Sequence, residues 1–173
     1  MKRRLIVIIL LIVVIVIGIT TLQHREHSTD FSQKFDSLVV EKSKRTLLAY
    51  NNGVLIKTYK ISLGRVPKGK KEFEGDRKTP EGLYFINDKN PNSGYHKNLG
   101  ISYPNDSDKI NAAAHNKEPG GLVKIHGMKN GFGWLGKSHL LIDWTLGCIA
   151  VDNQTIDELF YAVELGTPIE IKK

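Results

Sequence analysis

The chain of 173 residues contains one cysteine, Cys148, and only two tryptophans and two methionines. A single cysteine excludes an intramolecular disulfide, and none follows the N-terminal apolar segment, so a lipoprotein signal is also excluded. The sequence has no internal repeat and no low-complexity stretch. The residues that follow the N-terminal segment are enough for one domain of ordinary size, and such a domain can bury a core of its own.

The charge balance is mildly basic, with 25 Lys and Arg against 18 Asp and Glu and a formal net charge of +7. Three of the basic residues are Lys2, Arg3 and Arg4, so the excess over the rest of the chain is small. Such an excess favours an anionic neighbour such as a cell wall or a membrane face without identifying one. The basic residues are scattered and do not alternate with aromatic residues, so we predict no nucleic-acid partner.

The N-terminus predicts export and a membrane anchor. The basic residues within 1–4 precede an unbroken apolar run, and 5–22 is just long enough to cross a bilayer. Retained positive charge places 1–4 in the cytoplasm and the domain outside, as a single-pass protein of a bacterial cytoplasmic membrane. A cleaved signal peptide is the alternative, although no small-x-small cleavage site follows the run. Residues 23–37 are predicted to be a tether.

The remaining 38–173 predicts a mainly β, antiparallel, sandwich-like domain with one or two helices. Strands over 38–41 and 46–50 precede the turn signal Asn51–Gly53 and a return strand over 54–63, which together indicate a hairpin. Further strands are predicted over 83–86, 99–103, 122–125, 148–151 and 169–171, and helices over 106–116 and 154–164.

Cys148 is the candidate nucleophile. It follows Gly147 at the end of a long loop over 127–147, and loops of this length inside a domain are commonly functional. The amides of Gly147 and Cys148 are predicted to face a developing oxyanion, the device that acyl transfer needs. A thiol also needs a base, and both His126 and His139 precede the cysteine closely enough to supply one.

A zinc site is an alternative use of the same side chains. His115, His126, His139 and Cys148 are all zinc-ligand types. Their spacing has no tight pattern such as His-x-x-x-His, so we predict neither a metal nor a cofactor.

The sequence resembles the L,D-transpeptidase catalytic domain, the YkuD-like domain of bacterial cell-wall enzymes. The resemblance rests on Ile125–Gly127, a loop, and then Thr145–Ile149, the latter reading Thr-Leu-Gly-Cys-Ile. Gly64, the segment 75–82 and the closing 166–171 also stand where that family has them. The ordered set covers about 38–171.

The resemblance implies roles for particular residues. Cys148 would be the nucleophile and His126 its base, with His139 as a rival base or a residue of the site loop. The donor or oxyanion site would include Thr145, Leu146 and Gly147. The loop between base and nucleophile is predicted to form one wall of the substrate groove, with Gly127, Trp134 and Trp144 as its candidates.

The resemblance also implies the chemistry. Family members attack the third, diamino residue of a peptidoglycan stem tetrapeptide, release D-alanine and pass the acyl group to an amine of a neighbouring stem. The product is a 3→3 crosslink. Other members use water, as carboxypeptidases, or attach a lipoprotein. Hydrolysis on the same scaffold and a non-catalytic wall-binding module therefore remain alternatives.

Two departures from the family pattern stand out. Many members carry Arg or Asn two residues after the cysteine, where this chain has Ala150. His126 and Cys148 lie 22 residues apart, several more than in the commonest members. Donor binding is therefore expected to differ in this chain.

Overall fold

The computed structural model describes residues 10–14 and 33–173. The chain divides into two compact units, Met1–Asp30 and Phe31–Lys173. In the first unit, 10–14 is helical. Among the described residues, no helix is both long and apolar enough to cross a bilayer. Most of the predicted anchor over 5–22 lies outside the described residues, as do 1–4 and 23–32, and the anchor stays a prediction.

The second unit is mainly β, as predicted. Its strands are β1 Ser37–Glu41, β2 Thr46–Asn51, β3 Val54–Lys60, β4 Gly82–Ser93, β5 His96–Ile101, β6 Lys124–His126, β7 Ile149–Ala150 and β8 Pro168–Lys172. Its α-helices are α1 Asp106–Ala114 and α2 Asn153–Ala162, and its 3-10 helices are Lys42–Lys44 and Gly133–Leu141.

The strands form one sheet in the order β3-β2-β1-β8-β4-β5-β6-β7, which corrects the predicted sandwich. The physical reason is the length of β4. Gly82–Phe85 pairs with β8, and from Ile86 onward the same strand pairs with β5. Strand β4 therefore joins two groups of strands that a sandwich would keep in separate sheets. Neighbours are antiparallel except for β1 with β8 and β6 with β7.

The two edges of the sheet meet next to the candidate nucleophile. The chain leaving β3 exchanges hydrogen bonds with β7, from Ser62 N–H to the Ala150 carbonyl at 2.8 Å and in return at 2.9 Å. The Thr145 N–H then donates to the Leu63 carbonyl at 3.1 Å. Strand β7, only two residues long, is therefore held on both sides.

The hydrophobic core includes inward-facing side chains of β1 and of α2. Leu38 and Val40 alternate inward on β1, and Ile156 and Leu159 bury the inner face of α2. The Asp152 carboxylate accepts the Thr155 N–H at 2.8 Å and caps α2.

Two predicted boundaries change. Phe35 is 2% exposed and belongs to the core, so the last residues of the predicted tether are part of the domain. Leu122 was expected in a buried strand, but it has φ of 56°, and its side chain is 82% exposed. Strand β6 begins only at Lys124 because the left-handed backbone of Leu122 cannot continue a strand.

Candidate active site

Cys148 ends the loop that leads into β7, and its neighbours set its turn. The Thr145 hydroxyl donates to the Cys148 carbonyl at 2.7 Å and accepts the Gly147 N–H at 3.1 Å. Gly147 has φ of 135°, and a Cβ there would lie 2.8 Å from the Lys78 carbonyl oxygen. Both its conformation and its lack of space require glycine. Thr145 and Gly147 therefore fix the backbone from which the thiol projects.

The same hydrogen bonds distinguish the two amides that were predicted to face an oxyanion. The Gly147 N–H is already engaged by Thr145, so it does not point freely at a reacting carbonyl. Thr145 does not engage the Cys148 amide. The sequence predicted a tight turn at Gly147, but it could not show which backbone N–H donates to the Thr145 hydroxyl.

His126 ends β6 with one ring nitrogen committed to the backbone. Its Nδ1 lies 2.7 Å from the Gly127 carbonyl oxygen, and because a carbonyl only accepts, Nδ1 carries the proton. In the neutral ring Nε2 is therefore unprotonated. The ring contacts Tyr95, with centroids 4.7 Å apart, and Trp144, with centroids 5.6 Å apart. His126 is thus held in the orientation and tautomer that a general base requires.

The sheet brings His126 and Cys148 to one cavity. Parallel pairing sets His126 opposite Ala150, two residues beyond Cys148. Both residues line a cavity of about 610 Å³ together with Tyr95 and Trp144. The thiol itself points to the Leu122 carbonyl oxygen, 3.7 Å from Sγ. The pair therefore shares a cavity, while the thiol hydrogen bond is made to the backbone.

The protonation states of the pair follow from its burial. Burial raises the pKa of the Cys148 thiol, although the backbone N–H and charge of Lys124 and the charge of Lys71 oppose this. Burial also lowers the pKa of His126, against the effect of its hydrogen bond to Gly127. Both groups are therefore neutral at neutral pH, a thiol and an unprotonated Nε2. This state suits general-base activation rather than a resting thiolate–imidazolium pair.

A second cavity reaches Cys148 from the other side. It has a volume of about 440 Å³ and is lined by the segment around Glu74 and Arg77 and by Gly120 and Gly121. Leu122 and Leu146 line both cavities, as does Cys148. Leu146, a predicted donor-site residue, thus lies at the junction. The nucleophile stands where two separate openings meet.

His139 lies away from Cys148. Its Nδ1 accepts the Trp144 indole N–H at 3.3 Å, and its carbonyl accepts the Ser62 hydroxyl at 3.0 Å. It lines a separate apolar cavity of about 400 Å³ and neither of the two at the thiol. Trp144 stands between the two histidines, with ring centroids 5.6 Å from His126 and 6.2 Å from His139.

Of the three residues predicted for the groove wall, Trp144 lines the cavity that Cys148 and His126 share, and the other two lie elsewhere. Trp134 is 79% exposed and lines neither cavity at Cys148. Gly127 packs against α2, where a Cβ would lie 2.8 Å from Asn153 Oδ1 and 2.9 Å from Ile156 Cγ2. Gly127 is therefore needed for close packing of β6 on α2.

Sequence reasoning missed the anchor of the loop before Cys148. The Arg45 guanidinium binds Asp143 through Nε, at 3.1 and 3.0 Å from the two carboxylate oxygens, and through Nη2 at 2.7 Å. Asp143 also accepts the Leu63 N–H at 2.9 Å. Arg45 and Asp143 are 98 positions apart, so no local pattern could have paired them. Tyr95 was missed for the same reason, since it reaches His126 only through the fold.

The ligand types considered for zinc are not gathered. The described residues contain no group of three or more His, Cys, Asp or Glu side chains placed to hold a metal ion. His115 lies at the end of α1, with its ring centroid 5.9 Å from that of Phe73.

Comparison with known families identifies the class. Residues 36–171 match the sequence model of YkuD, the L,D-transpeptidase catalytic domain. The chain therefore belongs to the YkuD L,D-transpeptidase catalytic domain family, as the sequence resemblance predicted.

A curated relative supports the assignment. The chain is 34% identical over 128 residues to the Escherichia coli (strain K12) protein named "Putative L,D-transpeptidase YafK", covering 70% of this chain and 44% of that protein. The chain thus spans less than half the length of the curated relatives it matches. The activity of those whole proteins is not transferred by the match.

Solved structures confirm the fold. The helical cell shape determining protein Pgp2 of Campylobacter jejuni superposes with a TM-score of 0.60 at 24% identity, covering 84% of this chain and 53% of Pgp2. An L,D-transpeptidase of Mycobacterium smegmatis gives 0.52 at 17% identity, covering 79% of this chain and 58% of that one. At these identities the likeness establishes the fold alone.

Proposed function

We propose that this domain is a cysteine acyltransferase that acts on peptidoglycan stem peptides through a Cys148 acyl-enzyme. The observation that carries the proposal is the shared cavity of Cys148 and His126, with Nδ1 tied to Gly127 and Nε2 left to accept a proton. Membership of the L,D-transpeptidase family supports the choice of substrate.

The geometry supports a stepwise acyl transfer. The thiol turns from the Leu122 carbonyl towards His126, whose Nε2 takes its proton as sulfur attacks the carbonyl carbon of the third stem residue. The Cys148 amide, which Thr145 leaves unengaged, donates to the oxyanion. The bond to the terminal D-alanine breaks, and His126 returns the proton to the leaving amine.

The two openings favour transfer over hydrolysis. A transferase must hold a donor and an acceptor on either side of one thioester, whereas hydrolysis needs space only for water. The cavities of about 610 and 440 Å³ meet at Cys148, and Leu122 and Leu146 line both of them. The favoured product is therefore a crosslink or another peptide transfer, and carboxypeptidase action is the alternative.

We also propose that the domain works outside the cytoplasmic membrane on an uncleaved N-terminal anchor. The basic residues within 1–4 and the apolar run that follows motivate this. N-terminal sequencing of membrane-extracted protein tests it, and a mature N-terminus at or beyond residue 22 would refute the anchor but not the export.

The enzymatic proposal is tested by intact-mass measurement of adducts with a carbapenem, followed by product analysis with purified tetrapeptide muropeptides. Wild type should form a covalent adduct, Cys148→Ser none, and His126→Ala should react about a hundredfold more slowly at neutral pH. His115→Ala, at a histidine that lines neither cavity at Cys148, is the control and should react as wild type.

A folded wild-type protein that never acylates with any donor would refute the proposal and leave a wall-binding module. Products that are only trimmed would favour the carboxypeptidase.

A further inference from the structure

The loop that precedes Cys148 exposes several large apolar side chains. Its segment 127–142 contains no Asp or Glu, and its basic residues are Lys129 and Lys137. Four apolar side chains of this segment have exposed fractions between 47% and 85%. Exposed apolar groups that lie together usually mark a contact surface. We call these four side chains and the two lysines the loop patch; the four are Phe132, Trp134, Leu141 and Ile142.

The backbone holds this segment in a fixed shape. The Asn130 N–H donates to the Gly94 carbonyl at 3.0 Å, and the His139 carbonyl accepts the Ser62 hydroxyl at 3.0 Å. Between these contacts, Gly133–Leu141 forms the 3-10 helix. The apolar side chains are therefore held at the surface by hydrogen bonds on both sides, although their exposure to water is unfavourable.

An apolar cavity opens within the loop patch. It is the cavity of about 400 Å³ that His139 lines, and Phe132 and Ile142 form part of its wall. Lys129 is the one charged side chain in that wall, which contains no acidic residue. The cavity therefore suits an apolar chain that carries an anionic group at one end.

One buried polar atom in the same wall has no partner. Because His139 Nδ1 accepts the Trp144 N–H, the proton of the neutral ring is on Nε2. Burial lowers the pKa of His139, against the charge of Asp152, so the ring is neutral at neutral pH. Nε2 is buried and forms no hydrogen bond with any described residue. A buried N–H without an acceptor is unfavourable, so an occupant that brings an oxygen is favoured.

Anionic phospholipids combine the properties that these groups require. Their acyl chains match the apolar side chains, their phosphates match Lys129 and Lys137, and their oxygens accept hydrogen bonds. Trp beside basic residues is also typical of membrane interfaces. A glycan strand would instead bring hydroxyl groups against Leu141 and Ile142, and a second copy of the chain would bring two more lysines. The proposed anchor would also tether the domain to a bilayer through ten residues, 23–32.

We propose that the loop patch is a membrane-contact surface that binds anionic phospholipid. The apolar side chains insert among the acyl chains, Lys129 and Lys137 pair with phosphates, and a lipid oxygen accepts the His139 Nε2–H. Trp144 lines both this cavity and the larger cavity at Cys148, so the contact surface adjoins the candidate active site. The assignment goes beyond the proposed acyl transfer and does not require it.

Vesicle sedimentation of the Phe31–Lys173 unit tests the surface without the anchor. The members of the hydrophobic core lie between Phe35 and Ile171, so this unit keeps the whole described core. It should bind vesicles of phosphatidylglycerol and phosphatidylcholine at low salt, and bind them more weakly at high salt. Bromine in the lipid acyl chains should quench its tryptophan fluorescence, and Trp134→Phe should remove most of this quenching.

Substitutions separate the loop patch from the rest of the surface. Leu141→Ser, at a side chain 85% exposed, should weaken vesicle binding about tenfold, the scale for withdrawing one large apolar side chain from an apolar phase. Leu165→Ser is the matched control, because Leu165 is 61% exposed and lies outside the loop, and it should bind as wild type. The double substitution Lys129→Gln and Lys137→Gln should weaken binding to anionic vesicles about thirtyfold, from about fivefold for each lysine.

Absence of wild-type binding to anionic vesicles, or an equal loss in Leu141→Ser and Leu165→Ser, would overturn the assignment. Binding to purified cell-wall sacculi, or self-association of the unit, that Leu141→Ser abolishes while vesicles are not bound would assign the loop patch to a wall polymer or to a second copy instead. None of these results bears on the acyl-enzyme or the anchor, because neither is used in the measurement.

Discussion

Asp143 should couple the stability of the domain to the reactivity of Cys148. Its carboxylate accepts two N–H groups of Arg45 and the Leu63 N–H, and it begins the last five residues before the nucleophile. Asp143→Ala removes all of these bonds at once. The Arg45 side chain is 35% exposed and can regain water, whereas Asp143 is 16% exposed. We therefore expect a loss of about 2 kcal/mol in the free energy of unfolding, the lower part of the range for charge-assisted hydrogen bonds.

Urea unfolding of the Phe31–Lys173 unit measures this loss. Asp143→Asn, which keeps an acceptor for the Leu63 N–H, should lose less than Asp143→Ala. Glu164→Gln is the control, because its pair with Lys34 is largely exposed and should leave stability unchanged. Under conditions where both proteins are folded, Asp143→Ala should also acylate roughly tenfold more slowly, since small displacements of a nucleophile are costly.

Two results would refute this reasoning in different ways. An unfolding free energy equal to that of wild type would show that the Arg45–Asp143 contact contributes nothing net. A destabilised variant that acylates at the wild-type rate would show that the loop before Cys148 is positioned by other contacts.

Three further outcomes are expected. Because burial raises the pKa of Cys148, the thiol is protonated at neutral pH, and its alkylation rate in the domain should still be rising at a pH where that of a small reference thiol has already levelled off; a plateau near neutrality would contradict this. Gly147→Ala should lower stability by about 2 kcal/mol and abolish adducts, since its Cβ would meet the Lys78 carbonyl; thermal unfolding and adduct mass check it. His139→Ala frees the Trp144 indole and should slow adduct formation less than tenfold; a hundredfold loss would make it the base.

Local signals in the sequence were sufficient for some of the regular elements. The Asn51–Gly53 turn was predicted correctly, because it depends on neighbouring residues alone. The second half of β4 was not predicted, since its polar residues match no β pattern and pair only after the sheet forms.

The candidate site also contains residues that local motifs indicate and residues that only the folded chain brings together. The turn at Gly147 follows from a motif within one loop, and the family resemblance pointed to His126, which shares a cavity with Cys148. The anchor at Asp143 could not be predicted, because its partner Arg45 lies 98 positions away in the sequence. Pairing between distant charges is a property of the folded chain, so a local sequence pattern does not reveal it.

The closing contact between Ser62 and Ala150 has a consequence for the order of assembly. Strand β7 has two residues, and it is held by β6 on one side and by the chain leaving β3 on the other. Contacts between segments so far apart in sequence form late in folding, because the intervening loops must be closed first. The backbone on both sides of Cys148 is therefore held in place only after the segment at Ser62 has paired with β7. If the proposed acyl-enzyme forms, covalent labelling by a donor analogue should therefore report complete folding.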